Sequence, residues 1–142
     1  MKCNALLQKI FLLVIMITMH TYSVAQKSKD GINQVDTTIN TYELQELLKN
    51  KSEIKIIDVR LKKDFEADPQ LLPTANWHDP NTVEEWAKKL PKNSPIVVYC
   101  VHGHKVSQNV ASRLLNLGYN VQFLEGGIHA WKELGGKTLL AK

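Results

Sequence analysis

The stretch Ile96-Val97-Val98-Tyr99-Cys100-Val101-His102-Gly103-His104-Lys105 decides how the chain folds. Its first four residues are apolar on consecutive positions, so they read as a short strand covered on both faces, as in the middle of a parallel sheet. After the turn, Val106, Val110, Leu114 and Leu117 recur at helical spacing, and Gly118 gives the stop signal. Working outward, Ile54-Lys55-Ile56-Ile57-Asp58-Val59 and Val121-Gln122-Phe123-Leu124 are two further strands. Asn40 or Thr41 starts a helix whose apolar face is Tyr42, Leu44, Leu47 and Leu48, with Glu43 completing a capping box on Asn40. Leu61 to about Asp68 reads as a brief helix, and Pro69 to Pro80, with three prolines, as a loop. Asn81 and Glu84 repeat the capping-box pattern and predict a helix to Leu90, packed by Val83, Trp86, Ala87 and Leu90. Gly126-Gly127 predicts a turn, and Ile128 to Leu134 a last helix. Strands alternating with helices at this spacing predict an α/β fold with a mostly parallel sheet and helices on both faces.

The chain has 142 residues, with 18 Lys and Arg against 14 Asp and Glu, 44% hydrophobic and 23% charged residues. That composition suits one globular domain and excludes collagen-like, coiled-coil and disulfide-dense classes. Lys2 and Lys9 precede an apolar run from Ile10, and Ser23-Val24-Ala25 places small residues where a leader peptidase cuts. Residues 1–25 therefore read as a signal peptide, residues 26–36 as a polar linker and residues 37–142 as the folded domain. The apolar run of about ten residues spans roughly 15 Å as helix, half of a ~30 Å hydrocarbon core, so no permanent membrane span is expected. The leader holds two lysines and no acid, so the remainder carries a surplus of two charges, too small to argue for nucleic acid. An exported, periplasmic or secreted monomer is the expectation.

Cleavage removes Cys3 and leaves Cys100 as the one thiol of an exported protein, which invites a chemical role. A strand ending in Cys, followed by a short turn and a helix, surrounds the sulfur with backbone N–H groups and with the positive end of the helix dipole. Both favour the thiolate, and Lys105, His102 and His104 act in the same sense when charged. Gly103 permits the tight backbone path, and the strand's carboxyl end is where ligands settle in open α/β sheets.

Three stretches then fall in order: Ile57-Asp58-Val59-Arg60, Val97 through Gly103, and Leu124-Glu125-Gly126-Gly127-Ile128 with Trp131. Over roughly Thr37 to Gly136 the chain resembles a single-domain rhodanese, a thiosulfate sulfurtransferase-like module. The resemblance implies a five-stranded, mostly parallel rhodanese-like sheet and a persulfide carried on Cys100. A donor such as thiosulfate would supply the sulfur, and cyanide, a small thiol or a protein thiol would accept it. Cys100 would be the nucleophile, the amides of Val101, His102, Gly103, His104, Lys105 and Val106 would hold the anion, and no cofactor would be needed. Lys105 stands where many members have Arg, and Gln70-Leu71-Leu72-Pro73-Thr74-Ala75-Asn76 replaces a stretch that commonly carries His and two glycines.

Other candidates have plainer readings. Asp58 and Arg60 alternate along a strand end and read as a buried ion pair, with substrate contact by Arg60 the alternative. Cys100, His102 and His104 are metal-ligand types but too close in one turn for a closed site, so no metal is expected. Trp77, Trp86 and Trp131 read as core, and His78 and His129 as surface. A phosphatase-like loop needs Arg at the sixth position after the cysteine, where this chain has Val106. A non-catalytic sulfur-relay module and a thiol redox sensor are the rival readings of Cys100.

Overall fold

The computed structural model describes residues 37–141. The signal-peptide and linker assignments lie outside the described residues. In chain order the elements are β1 (Thr38–Ile39), α1 (Thr41–Lys49), β2 (Lys55–Asp58), α2 (Lys62–Ala67), β3 (Gln70–Leu71), β4 (Asn76–Trp77), α3 (Val83–Ala87), β5 (Ile96–Tyr99), α4 (Lys105–Asn116), β6 (Val121–Leu124), α5 (Gly127–Glu133) and β7 (Leu139–Leu140). The main sheet runs β1-β6-β5-β2-β4, and all its pairings are parallel. β3 and β7 form a separate antiparallel pair.

β5 is central, as its unbroken apolar run requires, and all four residues are buried. Its side chains alternate between two cores. Ile96 and Val98 join Ile57, Val83, Trp86, Val110, Ala111 and Leu114 beneath α3 and α4. Val97 and Tyr99 join Ile39, Leu44, Ile56, Leu124, Ile128 and Trp131 beneath α1 and α5. Helices therefore cover both faces, and the period of two along the strand decides which helix each residue meets.

Several local expectations need correction. Pro69 to Pro80 is not all loop, because β4 adds an edge strand beside β2, with Ile57 opposite Asn76 and Asp58 opposite Trp77. Asn81 caps nothing: its backbone N–H and side-chain amide both donate to Asp79 Oδ1 (2.9 and 2.8 Å), so α3 starts after Thr82 with no side-chain cap and ends at Ala87. Glu84 instead accepts from Arg113 of α4. Asn40 does form the predicted capping box with Glu43. The buried stripe of α4 is Ser107, Val110, Ala111 and Leu114, so Leu117 is left exposed, and in α1 Tyr42 faces solvent. His78 is half-buried and stacks on Trp86. Trp86 and Trp131 are buried, whereas Trp77 is half-buried, stacked on Phe65 and donating its indole N–H to Arg60 O.

Between β3 and β4, Ala75 N–H donates to Leu72 O (3.1 Å), closing a turn with Pro73 and Thr74 at its centre. Thr74 has φ +64°, a left-handed conformation that a β-branched residue resists. The left-handed state costs about 1–2 kcal/mol for a residue with a Cβ, of which the extra unfolded-state freedom of glycine cancels about half. Thr74→Gly is expected to stabilise the domain by about 0.5–1 kcal/mol and raise Tm by a few degrees, read by thermal unfolding. A fall in Tm would contradict the strain argument.

Candidate active site

The sheet order places a switch point between β2 and β5. After β2 the chain passes outward to β4, and after β5 it passes the other way to β6. The loops leaving these two adjacent strands diverge and open a crevice at the carboxyl end of the sheet, where ligands of such folds bind. Asp58 lies opposite Tyr99 in the register, so Val59 leaves the sheet beside Cys100 and Arg60 follows one residue later, at the same end of the two strands. A pocket of about 520 Å³ lies there, lined by Arg60, Leu61, Asp64, Cys100, Val101, His102, His104, Lys105, Val106 and Gln108.

Cys100 is free and 5% exposed, so the pocket reaches a sulfur that bulk solvent scarcely touches. The loop that holds it is fastened from behind. Ile128 and His129, in the first turn of α5, donate their N–H groups to the carbonyls of Cys100 and Val101, each at 3.0 Å. In a trans peptide the N–H points opposite to the C=O, so the Val101 and His102 amides point away from α5. On the far side of the loop, α4 begins at Lys105 with no side-chain cap, and its first amides lack intrahelical acceptors. A twelve-residue helix thus turns its positive end toward the Cys100 loop.

Two glycines make this approach feasible. Gly103 has φ +69°, and a Cβ there would lie 2.5 Å from Leu124 O and 2.7 Å from Gly126 N. Gly127 has φ +57°, and a Cβ there would lie 2.3 Å from Cys100 O. The Gly126-Gly127 turn and the Cys100 loop are therefore packed backbone against backbone. Gly103 sits in this contact and not in the pocket wall, whereas Val101, His102, His104, Lys105 and Val106 line the pocket.

Arg60 is 1% exposed. Its Nε and Nη2 donate to Asp58 Oδ2 at 2.8 and 2.5 Å, and Nη1 and Nη2 donate to the carbonyls of Asp68 and Gln70 at 2.9 and 2.8 Å. Burial pushes the Asp58 carboxyl up, and hydrogen bonds from the Arg60 side chain and backbone oppose that shift. Burial, and then the neighbouring Asp58 charge, push the Tyr99 phenol up, so it stays protonated where it accepts Leu72 N–H (3.2 Å). The guanidinium is committed to the frame on its Asp58, Asp68 and Gln70 side while one surface borders the pocket, so the ion-pair reading describes its main work. Lys105 is the exposed cation of the pocket wall.

His102, His104 and His129 gather at the rim, with ring centroids 6.1 Å apart for His102–His104 and 4.9 Å for His102–His129. Among the described residues no group of His, Cys, Asp and Glu side chains has geometry that could hold a metal ion. Sequence reasoning missed Leu61 and Asp64, brought in by α2, as well as Ser107 and Gln108 of α4. Ser107 carried a usable signal: with Val110, Ala111 and Leu114 it completes an i, i+3, i+4, i+7 stripe.

The family model for the rhodanese-like domain matches residues 40–134, which span every element from α1 to α5 and the whole pocket. The chain belongs to the rhodanese-like family. Among curated proteins, the thiosulfate sulfurtransferase GlpE of Coxiella burnetii is 36% identical over 95 residues, covering 66% of this chain and 85% of that protein. The adenylyltransferase and sulfurtransferase MOCS3 of Drosophila virilis is 33% identical over 101 residues, covering 66% of this chain but 22% of its own length. Among solved structures, a rhodanese-related protein of Thermoplasma volcanium superposes with a TM-score of 0.64 at 27% identity, covering 73% of this chain and 98% of that one. A rhodanese-like domain protein of Staphylococcus aureus gives 0.64 at 25% identity, covering 75% and 99%. In this rhodanese-like chain, two of the three stretches meet across the site: Gly103 packs on Leu124 O and Gly126 N, and Gly127 packs on Cys100 O.

Proposed function

We propose that the protein is a sulfurtransferase that carries sulfane sulfur on Cys100 between a small anionic donor of the thiosulfate class and a thiophilic acceptor. The observation that carries this reading is the position of Cys100 in a pocket at the switch point, facing the uncapped N-terminus of α4. In the loading step the Cys100 thiolate attacks the outer sulfur of thiosulfate, the S–S bond breaks, and its electron pair leaves on sulfite. The outer sulfur then bears the negative charge, next to backbone N–H groups that need no reorganisation to stabilise it. In unloading, the acceptor's lone pair takes that sulfur, and the electron pair returns to the Cys100 sulfur. Cyanide yields thiocyanate with no proton transfer.

Incubating the purified protein with thiosulfate and cyanide is expected to produce thiocyanate with saturation in both substrates. No thiocyanate above a protein-free control would defeat the proposal. Lys105, an exposed point charge at the pocket wall, draws in the dianion without the bidentate grip of Arg. Lys105→Glu is expected to raise KM for thiosulfate about tenfold, less at high salt, with a smaller change in kcat. The basic-apolar-small pattern of residues 1–25 supports export, which N-terminal sequencing of secreted protein tests: a start at Gln26 agrees, and retention of Met1 contradicts it.

A further inference from the structure

Ser107, fully buried in the first turn of α4, places its Oγ 3.2 Å from Cys100 Sγ and 3.2 Å from His104 O. A hydroxyl has one proton to give. The carbonyl always accepts, whereas the sulfur donates as a thiol and accepts as a thiolate. With Cys100 protonated, S–H donates to Oγ and Ser107 donates to His104 O. With Cys100 ionised, one proton is left among three acceptors. The charged sulfur makes the stronger hydrogen bond, roughly twice that of a neutral pair, so the hydroxyl turns onto Sγ. His104 O is not orphaned by the turn, because Gln108 N–H also donates to it at 3.1 Å.

Once Sγ carries the transferred sulfur, its charge has moved to the outer atom, and a neutral divalent sulfur is a weak acceptor. The hydroxyl then returns to His104 O. Ser107 thus holds the unloaded sulfur more strongly than the loaded one. Resting on the sulfurtransferase reading, we propose that Ser107 is a catalytic residue for unloading, its hydroxyl donating to Cys100 Sγ as the acceptor takes the outer sulfur and the bonding pair collapses onto Sγ. Nothing else is consumed: one S–S bond breaks, one bond from acceptor to sulfur forms, and the Ser107 proton stays on its oxygen. The other charged or titratable groups at the pocket and its rim are Asp64, His102, His104, Lys105, His129 and the Asp58-paired Arg60. They are unaltered by a change at position 107, so a difference between variants reads Ser107 alone.

The test uses Ser107→Ala and Ser107→Thr. Alanine is the best helix former and removes one oxygen, and Thr keeps the donor. Two quantities are measured: the pH midpoint for alkylation of Cys100 by iodoacetamide, and the single-turnover rate at which cyanide strips sulfur from the loaded protein. In Ser107→Ala the alkylation midpoint is expected to rise by about one pH unit and the stripping rate to fall about tenfold, with Thr restoring both. A lowered Tm with the midpoint unmoved would reduce Ser107 to packing and overturn its role. The alkylation readout does not depend on sulfur transfer. A wild type that never loads sulfur therefore sinks the sulfurtransferase reading, whereas one that loads sulfur and shows no Ser107 effect sinks this one.

Discussion

Arg60→Ala is expected to destabilise the domain by about 3–5 kcal/mol, the range for breaking a buried ion pair from one side. The side chain is 1% exposed and its partner Asp58 is 0% exposed, so truncation leaves a carboxylate with neither a counter-charge nor water. The carbonyls of Asp68 and Gln70 lose their guanidinium donors in the same step, loosening the chain between α2 and β3. A domain of this size has about 5–15 kcal/mol in all, so the variant should unfold at markedly lower urea concentration. The pH dependence has a definite sign. With the guanidinium gone, burial is opposed only by the backbone N–H at position 60 and the Tyr99 side chain, and it holds the folded Asp58 pKa above the unfolded value. The deficit is therefore full at neutral pH and shrinks as pH falls through that folded pKa. Asp58→Asn added to Arg60→Ala should recover part of the loss at neutral pH. A deficit below about 1 kcal/mol, or one that grows on acidification, would show that Arg60 serves the pocket and not the frame.

Cys100→Ser should leave folding almost untouched and remove sulfur transfer, lowering thiocyanate production more than about 10³-fold, as loss of a covalent nucleophile does elsewhere. Serine fills nearly the same volume, can share a hydrogen bond with Ser107, and keeps the loop carbonyls on Ile128 and His129, since those bonds are made by backbone. Its hydroxyl is not ionised near neutral pH and forms no persulfide. The variant thus separates the geometry of the pocket from the chemistry of one atom. Residual activity within tenfold of wild type would place the reaction on some other group.

What the sequence disclosed follows physical rules that act over few residues. The run Ile96–Tyr99 announced a central strand because both of its faces had to be buried, and Asn40 announced a helix start because its partner Glu43 sat at the required spacing. β4 was illegible: two residues, Asn76 and Trp77, cannot show a period, and their strand state comes from pairing with β2. Asn81 misled because the same side chain that caps a helix can also close a turn onto Asp79. In the site, Cys100 and its loop were legible from residue type and order. The left-handed backbone of Gly103 was legible too, but the close contacts of Gly103 and Gly127 were not, since each is defined by the backbone it meets across the loop pair. Ser107 was passed over as a polar residue on an apolar helix face, and the sulfur it faces lies seven residues earlier in the chain.

The most direct measurement is the intact mass of the wild-type protein after brief exposure to thiosulfate and removal of excess reagent, repeated after cyanide is added. A gain of one sulfur atom per chain, mapped to Cys100, lost on cyanide treatment and absent from Cys100→Ser, is the expected result. A mass that thiosulfate leaves unchanged, in protein whose Cys100 is shown by alkylation to be free and reactive, would contradict the account.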